Sequence, residues 1–159
     1  ATGLSAGGLY HHYKSTSEIL CDLMMRGCKY REDIIKKKIS EIPKPLGIKV
    51  LAELIVDKAL SDNEFIPIYV MFLQSMQGDE ILQQLYKEIQ DSSIRNFEQM
   101  LEGHGYAKIS KESWGLLNDL INTFILGCET LGIRALLISQ RHIIEKMIID
   151  VLMENGKEV

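Results

Sequence analysis

The chain has 159 residues, 46% of them hydrophobic and 25% charged, with a formal net charge of −4. That length suits one domain, or one domain plus a remnant, and the apolar content is enough for a sizeable core. No apolar run reaches the length of a membrane span and no signal peptide is present, so a soluble, cytoplasmic protein is expected.

Residues 1–20 read as the back half of a helix-turn-helix. Gly3 can take the left-handed backbone that a tight inter-helix turn requires, and Ser5 offers a hydroxyl to cap the short helix that follows. Leu9 and Tyr13 fall on one face of that helix. Lys14 and Ser15 close it. Ser15-Thr16-Ser17-Glu18 then forms a capping box, Ser15 as N-cap and Glu18 three positions on, that opens a longer helix. In such a motif the second helix enters the major groove by its N-terminal turn, here Ser5, Ala6, Gly7 and Gly8. These small residues imply close backbone approach and phosphate hydrogen bonds, with Tyr10 and His11 as donors towards bases and Lys14 as a charge beside the backbone. His11 and His12 point about 100° apart on a helix and cannot share a metal ion. The glycines are not a phosphate loop, since no strand precedes them and no Gly-Lys-Ser/Thr follows.

Few prolines and apolar residues recurring at three and four positions indicate an all-α chain. A connecting helix is expected from Thr16 to Ile42, stopped by Pro43-Lys44-Pro45. Cys21 and Cys28 on it would stand about 10 Å apart, beyond the roughly 7 Å span of a disulfide. They read as core thiols. A second helix up to Leu60 carries Leu46, Val50, Leu51, Leu54 and Ile55 as one stripe, and Ser61-Asp62-Asn63 breaks it. Glu64 to Gln77 is apolar nearly all round and reads as a buried central helix ended by Gly78. Asp79 caps the next helix, which runs to about Glu102 with Leu82, Leu85, Tyr86, Ile89, Phe97, Met100 and Leu101 inward.

The last two helices have the strongest periodicity. Trp114, Leu117, Ile121, Phe124, Cys128 and Leu131 repeat at the seam spacing of packed helices, and Leu116 and Leu120 begin a second stripe. A terminal helix is expected from a Ser139 cap to Glu154, with Ile143, Ile144, Met147, Ile148, Val151 and Leu152 on a broad apolar face. So much apolar surface needs cover, either from the chain's own core or from a second copy in a four-helix bundle across a two-fold axis.

Charge is unevenly placed. Residues 1–38 hold seven Lys or Arg against four Asp or Glu, a balance of +3, and the remainder eleven against eighteen, a balance of −7. A basic end and an acidic body are the polarity of a two-part regulator, although Lys36-Lys37-Lys38 also reads as a solvated helix face.

Gly3-Leu4-Ser5, Gly8-Leu9-Tyr10, His12-Tyr13-Lys14-Ser15 and Glu18-Ile19-Leu20 together resemble the tetracycline-repressor-like (TetR) family of bacterial regulators. The match covers about twenty residues; Thr16 stands where that family has a basic residue. The resemblance implies a first helix and most of a second upstream of Ala1. It also implies two parts: residues 1–42 as helix-turn-helix remnant plus connecting helix, and 43–159 as a helical ligand-binding and dimerisation domain. The function it implies is a ligand-responsive repressor, released from operator DNA by a small-molecule effector, with DNA binding confined to the intact protein. Since that family dimerises through its last two helices, the resemblance favours a homodimer built on Ile121, Cys128, Leu131, Ile144, Met147, Ile148 and Val151.

For the effector, Tyr69, Phe72, Met76, Trp114, Asn118 and Phe124 supply apolar walls with a few polar groups, a composition shared by small-molecule pockets and by plain core. A largely apolar effector is expected, because nothing in the sequence marks a buried charge to hold an ionic one. No cofactor or metal is expected. An enzyme is not expected either: di-metal bundles need Glu-x-x-His pairs, and Cys128 has no evident His partner. The alternative reading is a dimeric helical ligand-binding or protein-interaction module that never contacts DNA.

Overall fold

The computed structural model describes residues 13–104 and 109–154, and every described regular element is an α-helix. The seven helices are α1 (Thr16–Ser40), α2 (Ile48–Ala59), α3 (Ile66–Ser75), α4 (Glu80–Glu102), α5 (Lys111–Leu131), α6 (Arg134–Ser139) and α7 (Arg141–Glu154). None is long and apolar enough to cross a membrane.

The caps explain most of the boundaries. Ser15 Oγ accepts from the Glu18 N–H at 3.2 Å, as the capping box requires, while the Glu18 carboxylate reaches back to the Lys14 N–H at 2.6 Å rather than to that of Ser15. Helix α1 ends at Ser40, two residues short of the expected Ile42. Asp79 Oδ1 accepts from the N–H groups of both Ile81 and Leu82, opening α4 where the sequence places it. Gly78 before it has φ +84°, a left-handed conformation that favours glycine. Asn63 Oδ1 takes the Phe65 N–H, so the turn holds on until Ile66, and α3 is shorter than the expected Glu64–Gln77. Nor is α3 buried all round: Phe72 is fully enclosed, but Met71 is exposed.

The C-terminal region differs more. Gly132, at φ +65°, ends α5 in the left-handed conformation. The chain then makes the six-residue α6, turns at Gln140 and starts α7 at Arg141. Ser139 is therefore not an N-cap; its hydroxyl donates to the Leu136 carbonyl of the preceding turn.

Helix α2 sits at the centre, packed on α7 along one side and on α5 along another, and its Leu51, Ala52, Ile55, Val56 and Ala59 are all buried. Charged groups clamp this centre from outside. Asp57 receives Lys38 of α1 at 2.7 Å and Arg141 of α7 at 2.8 Å. Burial works against its ionisation, but those two hydrogen bonds outweigh it and hold the carboxyl below its ordinary value. Arg134 donates to the Leu60 and Ser61 carbonyls and pairs with Glu129, tying α6 to the end of α2.

Candidate effector cavity

Helix α4 comes closest to α1 and stands away from α5, and side chains span the gap. Trp114 Nε1 of α5 donates to Glu98 of α4 at 3.1 Å, with its ring edge-on to Phe97 at 5.5 Å. Because the backbones do not close here, Leu85, Ile89 and Phe97 stay only partly buried, unlike Leu82 and Leu101 at the two ends of the helix. The space left is a cavity of about 730 Å³ between α1, α2, α4 and α5. That volume lies within the range of small-molecule sites, roughly 300–1,000 Å³.

Each helix contributes through its own periodicity. Met25, Cys28 and Arg31 of α1 reach the cavity from one face, and Leu54, Ile55 and Lys58 of α2 do the same. The α4 wall mixes Leu85, Ile89, Phe97 and Met100 with Glu88, Ser92, Ser93 and Asn96, and Trp114, Leu117, Asn118 and Ile121 form the α5 wall. Lys58 is half-buried at the cavity wall, and burial pushes its ammonium down to about 7, with the charge of Arg31 adding to the effect. The Arg31 guanidinium lies over the Tyr69 ring, 5.5 Å from its centroid. Burial also pushes the Cys28 thiol up, and Cys21, Cys28 and Cys128 are all free.

Of the six residues proposed from sequence for the effector, Trp114 and Asn118 line this cavity and the other four lie elsewhere. Phe72 is fully buried between the rings of Tyr69 and Tyr86, at 6.3 and 6.5 Å. Tyr69 donates to Asn122 Oδ1 at 2.8 Å, and Asn122, Asn118 and Gln90 all donate to Tyr86 Oη, so Tyr69 belongs to a polar seam beside the cavity. Met76 and Phe124 are partly buried against the core. Two half-buried cations, Lys58 and Arg31, stand on the cavity wall where none is expected from sequence. For Lys58 a signal is present: Leu51, Leu54, Ile55 and Lys58 are spaced as one helical face, so a cation stands where the stripe would continue.

The residues proposed for a dimer divide in two. Ile121, Cys128, Ile144 and Ile148 are buried within the chain, the last two in the α7 face that meets α2. Leu131 is 73% exposed, and Met147 and Val151 are partly buried. The strict seven-residue spacing that grouped Leu131 with Trp114 drifts by about 20° per heptad on a straight helix, which carries it out of the core. Ile125 takes the inward place.

Of the residues proposed to contact DNA, Ser5, Ala6, Gly7, Gly8, Tyr10 and His11 lie outside the described residues. Lys14 is exposed, just before α1. Tyr13 donates to Asp22 Oδ2 at 2.6 Å, fastening a residue two positions before the α1 cap to the second turn of that helix. Of the lysines at the other end of α1, Lys36 pairs with Glu32 and Lys38 with Asp57. Among the described residues no cluster of His, Cys, Asp or Glu is placed to hold a metal ion. Comparison with protein-family models, with curated proteins and with solved structures finds no match for this chain.

Proposed function

We propose that this chain is the effector-binding and dimerising body of a TetR-like transcriptional regulator, a repressor whose DNA reader is the segment that runs into α1. The observation that carries the reading is the cavity of about 730 Å³ whose wall includes Cys28 and Arg31 of α1. A ligand there touches the same helix that leaves the reader, so a preference for one position of α1 translates into a preference for one spacing of the recognition helices. Gly27 supports this use of α1. A Cβ at that position would lie 3.1 Å from the Phe65 ring, tighter than nearly all such contacts, so glycine eases the close approach of Phe65 to α1 near its middle.

The dimer of this proposal uses what α5 and α7 leave outside. Leu116 and Leu131 are exposed on α5 and Ile143 on α7, and Leu136 and Ile138 add to them from α6. Isolated surface leucines are ordinary, but five within one pair of packed helices and their link are an apolar surface of the kind that a second copy covers.

The test is a gel shift of the whole protein on the DNA upstream of its own gene. Specific retardation that weakens on Tyr10→Phe or Lys14→Ala is expected, with a smaller salt slope for the lysine change. Ligand binding by a protein that retards no DNA would leave a ligand-binding dimer instead.

A further inference from the structure

We infer that the cavity takes an apolar monocarboxylate, its carboxylate held between Arg31 of α1 and Lys58 of α2 and its body lying along Leu85, Ile89, Phe97 and Trp114. This rests on the reading of the cavity as an effector site and adds the chemical class of the effector.

Three observations meet at this point. First, Arg31 and Lys58 are both shielded from full solvent, both line the cavity, and neither has a carboxylate within 4.0 Å among the described residues. Every other described Lys or Arg is either exposed or ion-paired. Arg134 and Arg141, which are shielded to a similar degree, both have acidic partners. Arg31 has the face of the Tyr69 ring and Lys58 no acidic partner, and two shielded cations on the wall of one cavity, neither neutralised by a carboxylate, suit an anion.

Second, the acidic groups of the cavity wall do not serve them. Glu32 is engaged by Lys36 at 2.7 Å, Glu88 accepts from Gln84 at 2.9 Å, and Asp33 is exposed. The remaining cations of the wall, Lys29, Lys36 and Arg95, are exposed to solvent. Third, Leu85, Ile89, Phe97 and Trp114 give the lining on α4 and α5 an apolar stretch, interrupted by Ser92, Ser93 and Asn96, that suits a hydrocarbon or aromatic body better than a small hydrated ion. One guanidinium and one partly protonated amine supply between one and two positive charges, a match for a monoanion.

The geometry also gives the ligand leverage. The charge of Arg31 on α1 disfavours the Lys58 ammonium on α2, and a carboxylate taken up by both would replace that repulsion with two charge-assisted hydrogen bonds. Binding therefore draws α1 towards α2.

The test is isothermal titration of the whole protein with two probes of equal chain length, dodecanoate and dodecanol, both below micellar concentration. Dodecanoate should bind about tenfold or more tightly than dodecanol, the advantage expected of a charge-assisted clasp. Lys58→Met and Arg31→Gln should each erase that preference while leaving dodecanol binding in place, and Lys58→Arg should keep it. The two variants guard against one that fails to fold. Equal affinity for the two probes overturns the carboxylate assignment while leaving the cavity as an effector site. Binding of neither probe overturns the assignment and counts against the effector reading as well.

Discussion

Ser17 Oγ donates to Asp79 Oδ2 at 2.7 Å, so the carboxylate that caps α4 with one oxygen holds the first turn of α1 with the other. These three hydrogen bonds, led by the one from Ser17, keep the Asp79 carboxyl below its ordinary value of 3.8. Its contribution to stability is thus full above that value and disappears as pH falls through the lowered one. Ser17→Ala should loosen α1 from α4 while the α4 cap stays, and Asp79→Ala should remove both. Thermal unfolding should accordingly rank wild type above Ser17→Ala and Ser17→Ala above Asp79→Ala, with the gaps closing at acid pH. Equal melting temperatures for the two variants would show that the cap and the link are not separate contributions.

The polar seam predicts a larger loss from a smaller change. Tyr69→Phe removes one hydroxyl and leaves the buried Asn122 Oδ1 without its donor, at a cost of about 1–3 kcal/mol by the usual penalty for an unsatisfied buried acceptor. Urea unfolding at constant m-value should show it. A change below a few tenths of a kcal/mol would mean that the seam re-pairs.

Lys58 should cost the ligand-free protein stability. Its ordinary value is 10.5 and its folded value about 7, so between those values the unfolded chain holds a proton that the folded chain has released. Unfolding free energy therefore rises with pH through this window, and the full penalty is present below it. Lys58→Met should raise the melting temperature at pH 6 and shrink the advantage as pH climbs towards 9. A variant less stable than wild type at pH 6 would mean that the ammonium has an internal partner.

The proposed dimer surface separates two apolar classes on the same helices. Leu131→Glu, at a site 73% exposed, should give a folded monomer by analytical ultracentrifugation with unchanged helical circular dichroism. Ile148→Glu, at a site 1% exposed, should lose the fold, because a carboxylate cannot be buried there without a partner. A Leu131→Glu protein that sediments with the wild-type mass would remove this face from the interface.

Helix boundaries were legible at two side-chain caps, Ser15 and Asp79, and at Gly78, where the backbone turns left-handed, but not at the Ser110 cap of α5 or at Gly132, which ends it. Where the backbone alone decides, as at Gln140 between α6 and α7, no residue type marks the break, and the Ser139 cap expected from sequence falls two residues before the helix start at Arg141. The cavity was only half legible. Trp114 and Asn118 were found because they face inwards at helical spacing, yet Tyr69 and Phe72 share that property and are core or seam. Periodicity reports which way a side chain points, and whether it meets a neighbour or a gap depends on how far α4 stands from α5, which is set by packing between distant segments. Lys58 continues the Leu51, Leu54 and Ile55 face, where a cation is ordinarily a solvated edge, and no pattern singles out Arg31.

Coupling between the cavity and the reader is measured directly by fluorescence anisotropy of the whole protein on labelled DNA from its own promoter, titrated with dodecanoate. At fixed salt, saturating dodecanoate should weaken DNA binding by about 5- to 150-fold, the usual range of a coupling free energy of 1–3 kcal/mol, and Lys58→Met should bind the DNA without responding. DNA affinity unchanged at saturating ligand would contradict the account.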